Sequence, residues 1–288
     1  MHRSLLATVV LAMALPGGCG GTGGTASSTS PAVSAATPSA ASGSVDVGGH
    51  SLSYSCTGQG TPTVILEHGL GGDADEWSAV MPAIAAHARV CAYSRLQVAG
   101  DAPSAGGRTA ADSVADLHTL LAHAGIKGPY VMVGFSFGGL ISQLYARTFP
   151  SDVIGLVLVD SNSADEATTY WAHLTPAQVA EDKTGTGGPN GEDMDILASF
   201  NLVKAAPAMP DVPLIVVTHT VPDPNEWPPG WDPSTFDGLQ SSLQTSLTRL
   251  TSHGSQVFAD GAGHDVPVEK PAVVNDAILK VLADASAS

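Results

Sequence analysis

The sequence predicts an α/β domain with a mostly parallel sheet, and three observations carry that expectation. Short runs of β-branched and apolar residues recur at 63–67, 89–93, 130–133, 153–159, 213–217 and 256–259. Segments with apolar residues on one helical face lie between most of them, Val114, Leu117 and Leu121 being one such set. The run from Val153 to Val159 is nearly all apolar, as suits a strand covered on both faces. Strands alternating with helices imply parallel neighbours, because each crossover returns the chain to the same edge before the next strand starts.

The elements follow in order. Ser51 to Cys56 reads as a short strand, and TGQGTP at 57–62 as a turn, by its glycines and proline. After strand 63–67, Trp77 to His87 is a helix interrupted early by Pro82, and 89–93 is the next strand. The helix over Thr109 to Ala124 leads to strand 130–133, and a second helix from Gly138 to Thr148 is closed by Pro150. The alternation breaks after Asp160. Residues 162–210 hold Trp171, a helix-like LTPAQVAED, the loose GTGGPNGED and another helical stretch near 194–203, with no convincing strand. Such an insertion reads as a small helical cap over the C-terminal edge of the sheet, where open α/β sheets bind ligands. Strands 213–217 and 256–259 resume the pattern, and the last helix carries Val274, Ile278, Val281 and Leu282 on one face.

The beginning of the chain has a different texture. Met1-His2-Arg3 supplies a positive end, Leu5 to Leu15 an apolar core, and Pro16-Gly17-Gly18-Cys19 follows, the layout of a secretory signal. Eleven apolar residues are too few for a mature membrane span. Small residues before Cys19 resemble a bacterial lipoprotein signal, in which that cysteine is lipidated, although Pro16 departs from the usual pattern and plain secretion stays open. Residues 20–45 lack aromatic and nearly all large apolar side chains, so they read as a disordered tether that burial cannot order. The folded body then runs from 46 to 288.

Across the whole chain 43% of residues are hydrophobic and 13% charged, enough apolar material for a large core. Eleven basic residues against 27 acidic ones give a net charge of −16, which excludes nucleic-acid binding by phosphate neutralisation. Two cysteines remain beside Cys19. In an exported protein Cys56 and Cys91 are either a disulfide or a pair of buried thiols, and the compartment favours the disulfide.

Chemistry is concentrated in three places. Strand 130–133 runs into GFSFGG, where Gly134-x-Ser136-x-Gly138 has the spacing of a strand–turn–helix elbow that exposes a nucleophilic serine. In a chain with 32 glycines that spacing alone is weak, since roughly 0.35 matches are expected by chance. Strand 63–67 ends in His68-Gly69-Leu70-Gly71-Gly72, and Ala262-Gly263-His264-Asp265 follows the last strand. A nucleophile followed much later by a base, with an acid between, is the order acyl chemistry uses on this kind of sheet.

With HGLGG at 68–72, RVCAYSR at 89–95, RTAADSVADLHTLL at 108–121, GFSFGG at 134–139, GLVLVD at 155–160 and GAGHDVPVEKP at 261–271, the chain resembles the α/β-hydrolase fold family of esterase and lipase type over about residues 46–284. The resemblance implies Ser136 as nucleophile, His264 as its base, and the backbone N–H groups of Leu70 and Phe137 as the oxyanion hole. It makes the strands bearing Cys56 and Cys91 neighbours, which implies a cross-strand bridge. It implies a small-molecule ester, thioester or lactone as substrate.

The acid is the least determined member. Most members place it after the strand at 213–217, where Asp223 is nearest but out of register; Asp160, ending the preceding strand, occupies the alternative position and is preferred. Asp265 is a poorer choice because residues adjacent on a loop rarely face each other. Ser94 stands where the family usually has aspartate, so the pocket border differs. The remaining histidines, His118, His123 and His219 among them, read as structural; His219, just after a strand, could line the pocket, with solvent exposure the simpler expectation. No HExxH, no GxGxxG opening a βαβ unit and no phosphate-binding lysine loop occurs, so neither metal nor nucleotide cofactor is expected. A membrane is expected as a partner only if Cys19 carries a lipid anchor. The competing reading from another class is a non-catalytic surface lipoprotein that kept the fold to bind a ligand or partner.

Overall fold

The structure is a computed structural model that describes residues 40–95, 107–185, 191–223 and 227–287. The signal-like segment 1–19 with Cys19, and the tether as far as residue 39, lie outside those residues, as do 96–106 beyond Arg95.

Eight strands form one sheet in the order β1-β2-β4-β3-β5-β6-β7-β8. They are β1 (Ala41–Asp46), β2 (Ser51–Thr57), β3 (Thr63–Glu67), β4 (Arg89–Tyr93), β5 (Tyr130–Phe135), β6 (Val153–Val159), β7 (Leu214–His219) and β8 (Gly254–Ala259). From β4 onward all neighbours are parallel, whereas β1 and β2 form an antiparallel hairpin, with β2 antiparallel to β4. The fold is that of the α/β hydrolases. One boundary differs from the sequence reading. Residues 41–45 belong to strand β1 rather than to the tether: Ala41 to Asp46 pair with Cys56 to Ser51 residue for residue, so backbone pairing orders a stretch that side-chain burial alone could not.

The sheet is covered on both faces, which is why β3, β5 and β6 read as continuous apolar runs. On one face α2 (Ala110–His123) and α3 (Phe137–Thr148) pack Leu117, Leu120, Leu140 and Leu144 against Ile65, Met132 and Leu156. On the other, α1 (Met81–Ala85) and α9 (Pro271–Ala287) bring Ile84, Val274, Ile278 and Val281 onto Val64, Val131 and Val157. Three helices fill the insertion between β6 and β7: α4 (Glu166–Trp171), α5 (Pro176–Gly185) and α6 (Ile196–Ala205). Between β7 and β8 lies α7 (Pro233–Leu247), and the short α8 (Val266–Glu269) precedes α9. Among the described residues no helix is long and apolar enough to cross a membrane.

Cys56 and Cys91 face each other across the β2–β4 pair and are disulfide-bonded, with an S–S distance of 2.07 Å. The bond closes a loop spanning 35 positions, a length that contributes about 3–4 kcal/mol by restricting the unfolded chain. Replacing both cysteines with serine is expected to lower urea-unfolding stability by about that much. An unchanged midpoint would show that the bond adds no net stability.

The winding of the sheet positions the site. From β3 the chain steps outward to β4, then returns to the other side of β3 for β5 and continues outward to β8. The reversal separates the connections leaving β3 and β5, and a crevice opens at their C-terminal ends.

Candidate active site

The chain turns sharply after β5. Phe135 ends the strand, Ser136 stands at φ 52° and ψ −122°, and α3 begins at Phe137. Residues with a Cβ rarely adopt positive φ, so this conformation holds only because its surroundings determine it. The Ser136 N–H donates to the Val159 carbonyl at 3.0 Å, and its carbonyl accepts from Asn162 at 3.1 Å and from Gly139 at 3.0 Å. The flanking glycines are required by space. A Cβ on Gly134 would come within 2.5 Å of the Gly138 carbonyl oxygen, and one on Gly138 within 2.3 Å of the His68 carbonyl oxygen. The GxSxG spacing is thus the condition for helix α3 to start this close beneath β3 and β5.

The loop after β8 brings His264 over the serine. Its path is pinned where the N–H groups of Thr220 and Val221 donate to the Ala262 carbonyl at 3.1 and 2.8 Å. His264 Nε2 is 3.1 Å from Ser136 Oγ, and the ring leans on that of Phe135 with centroids 4.9 Å apart. The imidazole is 46% exposed, so a ligand in solvent can reach it.

Asp160 completes the set. It follows β6 at φ 43°, its N–H donates to the Val217 carbonyl at 2.7 Å, and its side chain is buried. Nδ1 of His264 is 2.5 Å from Asp160 Oδ2. With Nδ1–H donated to the carboxylate, Nε2 is left to accept a proton from the hydroxyl, the arrangement that activates a serine. Burial pushes the Asp160 carboxyl up, but the hydrogen bonds from His219 and His264 outweigh it, and the net shift is downward, which keeps the group ionised. Asp223, the alternative acid, is exposed on the loop beyond β7, while Asp265 stands at the start of α8 without a side-chain capping bond.

His219 is a correction to the sequence reading. It is not in solvent: its side chain is 10% exposed and its Nδ1 lies 2.7 Å from the same oxygen of Asp160. It ends β7, next to β6, so strand adjacency delivers the ring to the carboxylate. These three are the group of acid and imidazole side chains among the described residues whose ligand atoms lie within 4.8 Å of one another. Contacts of 2.5 and 2.7 Å are those of N–H groups donated to a carboxylate, since donors around a tetrahedral zinc ion stand roughly 3.3 Å apart.

The loop after β3 faces the serine from the other side, and a Cβ on Gly69 would sit 3.6 Å from Ser136 Cβ. Two carboxylates tie the N–H groups flanking Leu70: Glu76 accepts from Gly69 at 2.9 Å and Glu192 from Gly71 at 2.7 Å. Phe137 lies in the first turn of α3, where N–H groups have no partner within the helix and the helix dipole favours negative charge.

Behind this loop lies a buried polar cluster that the sequence reading missed. Arg95 donates bidentately to Glu192, from Nε at 2.6 Å and Nη2 at 2.8 Å, and also to Glu67. It further donates to the carbonyls of His68 at 2.7 Å and Gly69 at 2.6 Å. Tyr93 donates to the other oxygen of Glu67. Burial, with the Arg95 charge, pushes His68 down to about 2, so it stays neutral; its Nδ1–H donates to the Gly69 carbonyl and Nε2 accepts the Arg95 N–H. A charged residue closing the apolar strand TVILE was the visible signal. Its second partner, Glu192, is 97 residues from Arg95 and could not be paired by spacing.

The cap residues divide. Phe200 is buried with Met194 and Val203 against α2 and α3, so it builds core rather than an open pocket. The Trp171 indole donates to Asp182 at 2.7 Å. Tyr170 of α4 packs instead with Trp227, Trp231 and, from α7, Phe236.

The comparisons agree with this architecture. The model of the alpha/beta hydrolase fold family matches residues 62–190. The uncharacterized protein YqjL of Bacillus subtilis is 25% identical over 76% of this chain and 83% of its own length. The pimeloyl-acyl-carrier-protein methyl ester esterase of Sodalis glossinidius is 30% identical over 44% of this chain, which spans only 47% of that protein. Among solved structures, a thermophilic esterase from Thermogutta terrifontis superposes with a TM-score of 0.56 at 20% identity, covering 82% of this chain and 94% of the esterase. The epoxide hydrolase CorEH gives 0.57 at 18% identity over 85% and 99% of the two chains. The chain therefore has the α/β-hydrolase fold, and esterases stand among the proteins it is similar to.

Proposed function

We propose that the protein is a serine hydrolase that cleaves a carboxylic ester, thioester or lactone through an acyl-enzyme. The observation that carries this reading is the continuous hydrogen-bond line from Ser136 Oγ through the His264 ring to buried Asp160. Ser136 Oγ attacks the carbonyl carbon while its proton passes to His264 Nε2, and Asp160 stabilises the imidazolium. The oxyanion is held by the N–H groups of Leu70 and Phe137, each worth about 10²–10³ in rate in such a hole. Collapse breaks the bond to the leaving oxygen or sulfur, which takes the proton from His264. Water then attacks the acyl carbon, His264 again takes the proton, and the acid leaves as Ser136 is restored. Similarity to a methyl ester esterase supports an ester as the substrate class.

A fluorophosphonate probe tests the reading. Folded wild-type protein is expected to be labelled at neutral pH, and Ser136→Ala to be inert. Labelling that persists without Ser136, or a folded wild type that never reacts, would favour a ligand-binding role.

We also propose that the protein works outside the cytoplasm, anchored through a lipid on Cys19. Support comes from the leader-like residues 1–19 and from the Cys56–Cys91 bond, which persists in oxidising compartments. Cell fractionation checks it: the protein is expected in the membrane fraction, and Cys19→Ala in the soluble one. Identical partitioning of the two would remove the anchor from the proposal.

A further inference from the structure

One carboxylate oxygen at the site serves two imidazoles. Asp160 Oδ2 is 2.5 Å from His264 Nδ1 and 2.7 Å from His219 Nδ1, and the His219 backbone N–H approaches Oδ1 at 3.4 Å. The ring centroids of the two histidines are 6.4 Å apart and nearly perpendicular, so each ring reaches the oxygen from its own direction. The serine-activating line uses one ring. The other is buried beside it, on the strand next to the one that Asp160 ends, and has no part in that line.

We propose that His219 is a positioning residue for the acid–imidazole pair: by donating its Nδ1–H to Oδ2 of Asp160 it fixes the carboxylate and takes up part of its charge, so that His264 is aimed and its affinity for the proton moderated. The catalytic half of this inference rests on the serine-hydrolase reading; the hydrogen-bonding half does not. Without the His219 ring the carboxylate would keep only the His264 N–H and the long 3.4 Å approach of the His219 backbone N–H to Oδ1, so its last torsion would be loosely held, and rotation carries the His264 ring off the line to Ser136. A second donor from the rigid end of β7 removes that freedom.

The sign of the electrostatic effect follows from sharing. A carboxylate whose charge is divided between two N–H groups stabilises the His264 imidazolium less than one whose charge falls on His264 alone. Removing the His219 donor therefore makes His264 hold its proton to higher pH. The groups facing His219 among the described residues do not reverse this. They include Asp160 at the end of β6, His264 after β8, and Asp237 of α7, which lines a cavity of about 250 Å³ together with His219, Thr218, Thr220 and Gln240. The cavity's lining residue from β8, Phe258, is apolar. Asp237 accepts the Trp227 indole N–H at 2.7 Å, which engages its charge elsewhere. Neutral His219 in the Nδ1–H form satisfies the carboxylate without placing a second positive charge beside the imidazolium that forms during turnover.

The test uses the whole folded protein and two variants. His219→Leu fills the space without a donor; His219→Asn keeps an N–H near the position of Nδ1. In His219→Leu the His264 ring, followed by histidine nitrogen NMR, is expected to titrate at higher pH than in wild type. The low-pH limb of kcat/KM for a short acyl ester moves the same way, and kcat falls by about tenfold, the effect of one hydrogen bond to a charged group, while KM changes little. His219→Asn recovers most of both. Wild-type tautomers offer a check that needs no variant to fold: His219 is expected in the Nδ1–H form at neutral pH. The inference is overturned if His219 carries its proton on Nε2, if folded His219→Leu titrates and turns over like wild type, or if His219→Asn is as impaired as His219→Leu. A wild type that neither hydrolyses esters nor reacts with fluorophosphonate would sink the enzymatic reading instead, leaving the NMR titration to decide the role of His219.

Discussion

Asp160→Asn is expected to lower kcat by about 10⁴, as loss of the acid does in serine enzymes of this design. The side chain is buried and accepts from both histidine rings, so no water stands ready to replace it. Asparagine fits the space but offers an NH₂ group where the ring now finds an oxygen. The His264 ring is then best satisfied with its proton on Nε2, and a protonated Nε2 cannot accept from the Ser136 hydroxyl. The loss should therefore appear in kcat with the ester still bound. Asp223→Asn, at an exposed position outside the hydrogen-bonded line, should turn over at the wild-type rate. Steady-state kinetics on a chromogenic ester decide it; a wild-type rate in Asp160→Asn would remove this residue from the proposed triad.

The second large effect is on stability. Arg95→Met is expected to cost about 3–5 kcal/mol, the usual result of removing one partner from a buried ionic cluster. Glu67 and Glu192 would be left facing each other without a cation, both almost wholly buried. The carbonyls of His68 and Gly69 would lose a donor as well. Lysine should not restore the protein, because one ammonium cannot reproduce a planar fork that meets two carboxylates and two carbonyls. Urea unfolding measures the cost. If Arg95→Met unfolds with the wild-type midpoint, the cluster is energetically silent. Because the same guanidinium holds the His68 and Gly69 carbonyls just before Leu70, and pairs with the Glu192 that accepts from Gly71 just after it, protein that still folds should also show a reduced kcat.

The contrast between these two regions explains what the sequence could reveal. Ser136 was legible because a strained turn demands glycines at fixed spacing, and His264 because a Gly-His pair followed the final strand. Asp160 was legible as a candidate because it directly ends an apolar strand, whereas Asp223 lies four residues beyond the end of β7. The sequence already preferred Asp160, and the register that sets Val159 beside Val217 brings it to the two imidazoles. His219 and the Arg95 cluster were not legible for a related reason. Their partners come from other strands and from the insertion, and the pairing of Arg95 with Glu192 depends on a fold contact that leaves no local period. Strand β1 escaped notice because its order comes from main-chain pairing with β2, while its side chains are almost all exposed. Residues 96–106, which continue the pocket border that begins at Ser94, lie outside the described part of the chain.

The two turns that hold Ser136 and Asp160 share an unusual property: both residues sit at positive φ, at 52° and 43°. Each such position costs on the order of 1–3 kcal/mol, which the surrounding packing must absorb. Glycine would be more comfortable at either place, and would be chemically mute. Robustness and reactivity therefore pull in opposite directions at these two codons. A lineage selected only to stay folded would be expected to lose the hydroxyl or the carboxylate before it lost the sheet.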